Sequence, residues 1–190
     1  MPETSAIFHI LPLGWEHAGW RGVFYPKDLP VAWRLGYFAN EFPAVAVPQA
    51  AWLQAHQDRF RAWLDEVGSQ FRFYLVLERP LTPAIIGETR EWLADALGGF
   101  VAPPEVTRPG RSPGAFYRRI GVVEEGPQGG CLACGVSLNG MDLQAQRALL
   151  ERLSGRVEVD AELLLIVEDR PPEIASLAGL RQLAELMGLA

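Results

Sequence analysis

The residues best suited to chemistry crowd into one loop. Between Trp15 and Leu29 stand Trp15, Glu16, His17, Trp20, Arg21 and Tyr25. A guanidinium presents a planar fork of donors that matches a carboxylate or phosphate. Indole faces stack on flat ligands, and an imidazole carries protons near neutral pH. Trp15, Trp20 and Arg21 therefore suit the binding of an anion or a sugar-like ring, with His17, Arg21 and Tyr25 as candidate catalytic groups. The same composition also suits a packed plug, because tryptophan is large and buries most of its surface.

Three further sets of residues invite a chemical reading. Glu78, Asn139, Glu168 and Asp169 end later apolar runs. Two facing carboxylates can do acid–base work or hold a metal, so Glu78 and Glu168 join the candidate list. Charged residues also mark strand ends simply because the chain meets water there. Cys131 and Cys134, the two cysteines of the chain, form a C-x-x-C. They open an apolar run that reads as strand, where positions three apart point to opposite faces. A zinc site would need two more ligands, and His9, His17 and His56 are scattered, so no metal or cofactor is expected. Arg108, Arg111, Arg118 and Arg119 concentrate positive charge beside Phe116 and Tyr117. They suit a phosphate, nucleic acid or an acidic partner, or a solvated loop.

The elements that must position these groups alternate. Ile7–Leu13 is a short apolar run ended by Gly14, which predicts a buried strand. A helix is expected from about Pro30, with Asp28 upstream as its cap. Ala44–Val47 predicts a second strand. Phe60, Trp63, Leu64 and Val67 fall at helical spacing after Asp58, a candidate cap. Phe71–Leu77 is a third strand. Thr82-Pro83 opens a helix that Gly98-Gly99 should stop. The order β-α-β-α-β-α with short connections favours a parallel sheet. A Pro/Gly/Arg-rich insertion at about 100–130 interrupts it, with an irregular or edge strand within 116–124. Strands at 131–138 and 163–167 and helices near 142–153 and 172–187 complete the chain.

At 190 residues the chain is long enough to bury a core without disulfides and is expected to be one domain, 1–190. Its formal charge is −6, which disfavours nucleic acid as a partner. No apolar run reaches the length of a membrane span, and with only two cysteines a cytoplasmic setting is expected.

The first loop carries a resemblance. G-W-x-x-x-G-W-R-G-x-F-Y-P-x-x-L-P, from Gly14 to Pro30, followed by R-L-x-Y-F-A-x-x-F, resembles the opening of the domain-of-unknown-function-72 (YecE-like) family. Phe71-Arg72-Phe73 and Val167-Glu168-x-Arg170 resemble its third-strand opening and fifth-strand end. The resemblance implies a fold similar to a TIM-type barrel, in a shortened and divergent member, and it implies no defined activity. Where the family has V-E-x-N, a lysine and a Thr-His pair, this chain has Val45-Ala46-Val47-Pro48, Val76 and Thr82-Pro83.

The fold expected is therefore α/β, a shortened or incomplete TIM-type barrel of about five to six mostly parallel strands with flanking helices. An incomplete barrel leaves a sheet open, to be covered by the 100–130 insertion, a second copy or another protein. The function expected is that of an uncharacterised, non-catalytic interaction or assembly module. The alternative is a small enzyme or anionic-ligand-binding protein with its site in the loop after the first strand, built on His17, Arg21, Tyr25, Glu78 and Glu168.

Overall fold

In the computed structural model, the described residues are 6–55, 57–102, 116–122 and 128–190. Seven strands form one sheet: β1 (Ile7–Pro12), β2 (Ala44–Val47), β3 (Arg72–Val76), β4 (Leu97–Val101), β5 (Phe116–Arg119), β6 (Cys131–Val136) and β7 (Glu162–Val167). Their order is β1-β7-β6-β5-β4-β3-β2, and every ladder is parallel. The first and last strands of that order then meet. Leu13 bridges Ala46, and the Gly14 N–H donates to the Ala46 carbonyl at 2.8 Å. The sheet is a nearly closed barrel, zipped along the β1–β2 seam at its carboxyl end.

The expected α/β, TIM-type barrel is the fold found; its strand count is slightly higher, seven among the described residues rather than five to six. Two local signals misled the expected count. Gly98-Gly99 reads as a helix stop, yet both lie inside β4. The glycine at 98 is there for room: a Cβ would stand 2.6–2.9 Å from the Tyr74 ring. Phe116–Arg119 is no edge strand, because it pairs with β4 on one side and β6 on the other. The usual barrel closes with eight strands; seven are found among the described residues. Ala44, Ala46 and Ala133 face inward beside Leu11, Leu13, Val76, Val101, Leu164 and Ile166.

The opposite faces of the same strands carry Val45, Val47, Phe73, Leu75, Phe100, Leu163 and Leu165, packed under helices. These are α1 (Arg34–Glu41), α2 (Gln49–Trp52), α3 (Gln57–Glu66), α4 (Pro83–Leu93), α5 (Leu143–Ser154) and α6 (Ile174–Leu186). Strands covered on both faces read as continuous apolar runs, as parallel strands must. Asp142 caps α5 by accepting from the Ala145 N–H at 2.8 Å. Asp28 caps nothing: a 3-10 turn, Val31–Trp33, precedes α1, and no side chain caps either. Asp58 sits inside the first turn of α3. Among the described residues no helix is long and apolar enough to cross a membrane. Arg108, Arg111, His56 and most of the 100–130 insertion lie outside the described residues.

Candidate functional site

The first loop folds back on itself because its aromatic rings find one another. Trp20 is 2% exposed, lies nearly parallel to Phe38 at 6.1 Å, and donates its indole N–H to the Pro172 carbonyl at 2.9 Å. That bond ties the loop after β1 to the segment after β7. Tyr25 donates its hydroxyl to the Trp15 carbonyl at 2.7 Å, and burial pushes that hydroxyl well above the ordinary tyrosine range. Trp20 and Tyr25 are therefore committed to packing. Arg21 is exposed and donates from Nε to the Lys27 carbonyl at 2.8 Å, bracing the loop.

Trp15 does face a cavity. It meets Trp63 of α3 edge-on at 5.0 Å. Beside this pair, at the carboxyl ends of β1, β2 and β3, lies a cleft of about 290 Å³. Its walls are Leu13, Trp15, Val47, Pro48, Ala51 and Trp63, and its charged or titratable lining is Glu16, His17, Arg59, Glu78 and Arg170. The volume suits a small organic molecule at the lower end of ligand sites. The mix of flat apolar walls and a few polar groups is that of a site which binds the body of a ligand and orients its head.

His17 is held by its own loop. Its Nε2 lies 3.1 Å from the Leu13 carbonyl. A carbonyl only accepts, so Nε2 carries the hydrogen and the neutral ring keeps its lone pair on Nδ1. The ring meets Trp20 edge-on at 4.5 Å. Burial lowers the pKa of His17 from 6.5, with nearby Arg170 adding to the effect, so the ring is neutral at pH 7. A neutral imidazole is a hydrogen-bond partner and a base, not a cation.

Glu78 is placed by Gln49. The Gln49 Oε1 accepts from the backbone N–H of Glu78 at 2.5 Å and of Arg79 at 3.1 Å, although Gln49 itself is 4% exposed. The chain leaving β3 is thereby pinned to α2, and the Glu78 carboxylate joins the cleft. Glu168 goes elsewhere. It forms an ion pair with Arg119 at 3.6 Å and lies over Gly135, where a Cβ would come within 2.6 Å of its carboxylate. Asp169 is buried and accepts from Ser137 Oγ at 2.5 Å and the Leu138 N–H at 2.7 Å, tying β7 to the chain after β6.

Of the residues singled out in the sequence, the structure brings Trp15, Glu16, His17 and Glu78 to one cleft, and places Trp20, Arg21, Tyr25 and Glu168 outside it. The arginines that do line it are Arg59 and Arg170. Arg59 reads as an ordinary solvated position on α3; only its place over the Trp63 ring, 5.8 Å away, gives it a role. Gln49 had no signal beyond following a proline. Cys131 and Cys134 fall on opposite faces of β6, as their spacing predicts. Burial raises the Cys131 pKa, which leaves it a protonated thiol. Among the described residues no group of three or more His, Cys, Asp or Glu could hold a metal ion.

A parallel strand ring with helices outside and a cleft at the strands' carboxyl ends defines a protein of the (β/α)-barrel class. Residues 12–101 match the family model described as "Protein of unknown function DUF72". Over that stretch the chain resembles the DUF72 family. It is similar in fold to a DUF72 family protein from Thermotoga maritima, with a TM-score of 0.55, 12% identity, and coverage of 96% of this chain and 99% of that one. It is similarly close to a DUF72 family protein from Enterococcus faecalis, at a TM-score of 0.54 and 10% identity, covering 98% and 100%. No curated protein matches the chain.

Proposed function

We propose that this protein binds a small organic ligand with a flat or apolar body and an anionic head, in the cleft at the carboxyl ends of β1–β3. The observation that carries the reading is the convergence of Arg59 and Arg170 with the Trp15–Trp63 walls and His17 around one cavity. Arginine forks take carboxylates and phosphates, and the indoles stack on the body. Neutral His17 is the group that would accept a proton from such a ligand, should the site prove catalytic. The β1–β2 seam is bridged at its carboxyl end, beside this cleft, which supports a bounded site there.

The test is a titration with phenyl phosphate and with benzoate, followed by the indole N–H signals of Trp15 and Trp63. Saturable shifts are expected. Arg170→Met should weaken binding about tenfold, the worth of one charge-assisted hydrogen bond. Titrations identical in wild type and in both Arg59→Met and Arg170→Met would sink the reading.

A second reading, association with another copy or another protein, has one observation in its favour. Val23, Val31 and Trp33 are 81%, 58% and 66% exposed on the stretch before α1. A large ring left in water is a common anchor of an interface. A mass above one chain in light scattering, reduced by Trp33→Ser, would support it.

A further inference from the structure

The other end of the barrel holds ionisable groups that the carboxyl-end cleft does not use. They are there because the seam opens. Gly14 donates across the seam to Ala46, so the next ladder bond down would run from the N–H of residue 12 to the carbonyl of Ala44. Residue 12 is proline and has no N–H. Below that point β1 and β2 part, and a crevice of about 300 Å³ lies between them.

The barrel interior at that depth is polar. His9 faces inward on β1, and its Nε2 stands 3.1 Å from Glu162 Oε1 of β7. Tyr117 of β5 donates its hydroxyl to the same oxygen at 2.5 Å. The hydrogen bond from His9 holds the Glu162 carboxyl below its usual range, while burial pushes the Tyr74 hydroxyl up to about 12. Tyr74 meets Tyr117 edge-on at 5.5 Å and closes the inner wall. A titratable cluster inside a barrel that could have been filled with aliphatic side chains is a candidate for function. His9 is not sealed in: its side chain is 40% exposed, and it lines the crevice with Arg72, Tyr74, Arg181 and Glu185.

We infer that this amino-end crevice is a second binding site, for a small oxyanion such as a phosphate or a carboxylate, received by the guanidinium groups of Arg72 and Arg181 beside the His9 ring. Glu162 and Tyr117 act as positioning residues. By accepting from Nε2, Glu162 fixes the hydrogen on that nitrogen and the plane of the ring. Arg72 is held in place from NH1 by the Ser69 and Phe71 carbonyls, at 2.7 and 2.9 Å, which leaves its other nitrogens to donate. Arg181 is fixed by the Glu41 carbonyl at 3.1 Å and by the Phe42 ring. Two guanidinium groups face one lining carboxylate side chain, Glu185, across the crevice, and Glu162 is already engaged by His9 and Tyr117. The balance favours an anion over a cation.

The site is independent of the carboxyl-end cleft, and the experiment separates them. The histidine ring signals of the full chain are followed by NMR while inorganic phosphate, and separately acetate, is added at constant ionic strength. Saturable movement of His9 is expected, with His17 still. Because Arg72 also braces the start of β3, the primary variant is Arg181→Gln, which should weaken the His9 response about tenfold. His9→Gln, followed through the Tyr74 and Tyr117 ring signals, is the second. A His9 signal that does not move, that drifts without saturation equally in wild type and Arg181→Gln, or that moves only together with His17 would overturn the inference.

Discussion

At the scale of the residue, His17 shows how little a side chain's type says about its state. An imidazole in an exposed loop would titrate near 6.5. Here Leu13 and Trp20 enclose it and burial disfavours the charged ring. The folded pKa lies below the unfolded one, so below about 6.5 the unfolded chain binds the proton more readily. His17 thus contributes stability at neutral pH that fades as pH falls through that region. Urea midpoints measured from pH 7.5 to 5 should decline more in wild type than in His17→Gln, which keeps a donor for Leu13 but cannot titrate. Equal slopes would show that the ring is open to water. Gly98 makes a steric point at the same scale. A methyl group there has no space against the Tyr74 ring, which is 5% exposed and cannot swing away. Gly98→Ala should destabilise by about 1–3 kcal/mol, read from denaturant midpoints. His17 as a candidate was legible in the sequence; its neutrality was not, since that depends on packing partners brought by the fold.

At the scale of the element, most of the alternation was legible because parallel strands are short apolar runs and helices repeat at 3.6 residues. α5 shows the rules working: Asp142 caps it, and Leu149, Leu150 and Leu153 face the core. Asp142→Ala should cost about 1 kcal/mol of stability. Gly87, inside α4 with nothing within 4 Å of a notional Cβ, is a contrasting case. Gly87→Ala should raise stability by about 0.5–1 kcal/mol, seen as a higher unfolding midpoint, because alanine lowers the entropy lost on forming the helix. The elements that escaped detection did so for local reasons. β4 hides behind two glycines, of which Gly98 makes room for the Tyr74 ring rather than ending a helix. β5 is only four residues long, and its place inside the sheet is set by partners on both sides.

At the scale of the whole molecule, closure is the event that organises both ends. Gly14 and Ala46 zip the carboxyl end of the seam, and Pro12 leaves the amino end parted. Trp20 spans the join between the first and last strands by donating to Pro172. Trp20→Phe keeps the ring but leaves that buried carbonyl without its donor. The expected cost is about 1–3 kcal/mol, with faster amide exchange concentrated at β1 and the start of α6. Exchange rising evenly over all strands would mean that the bond is not a clasp.

What the sequence determined by itself was local: the strand and helix periods, the aromatic loop at 14–30 that marks the family, and the pair of thiols on opposite faces of one strand. Those depend on neighbours within a few residues. What only the tertiary structure decided was which distant groups meet. Arg59 and Arg170 reach the Trp15 wall, Gln49 holds the backbone at Glu78, and His9 finds Glu162 and Tyr117, because a ring closed with seven strands sets the inward register of each. That register is a non-local quantity. It follows from strand order and from closure at one seam, which no window of residues contains.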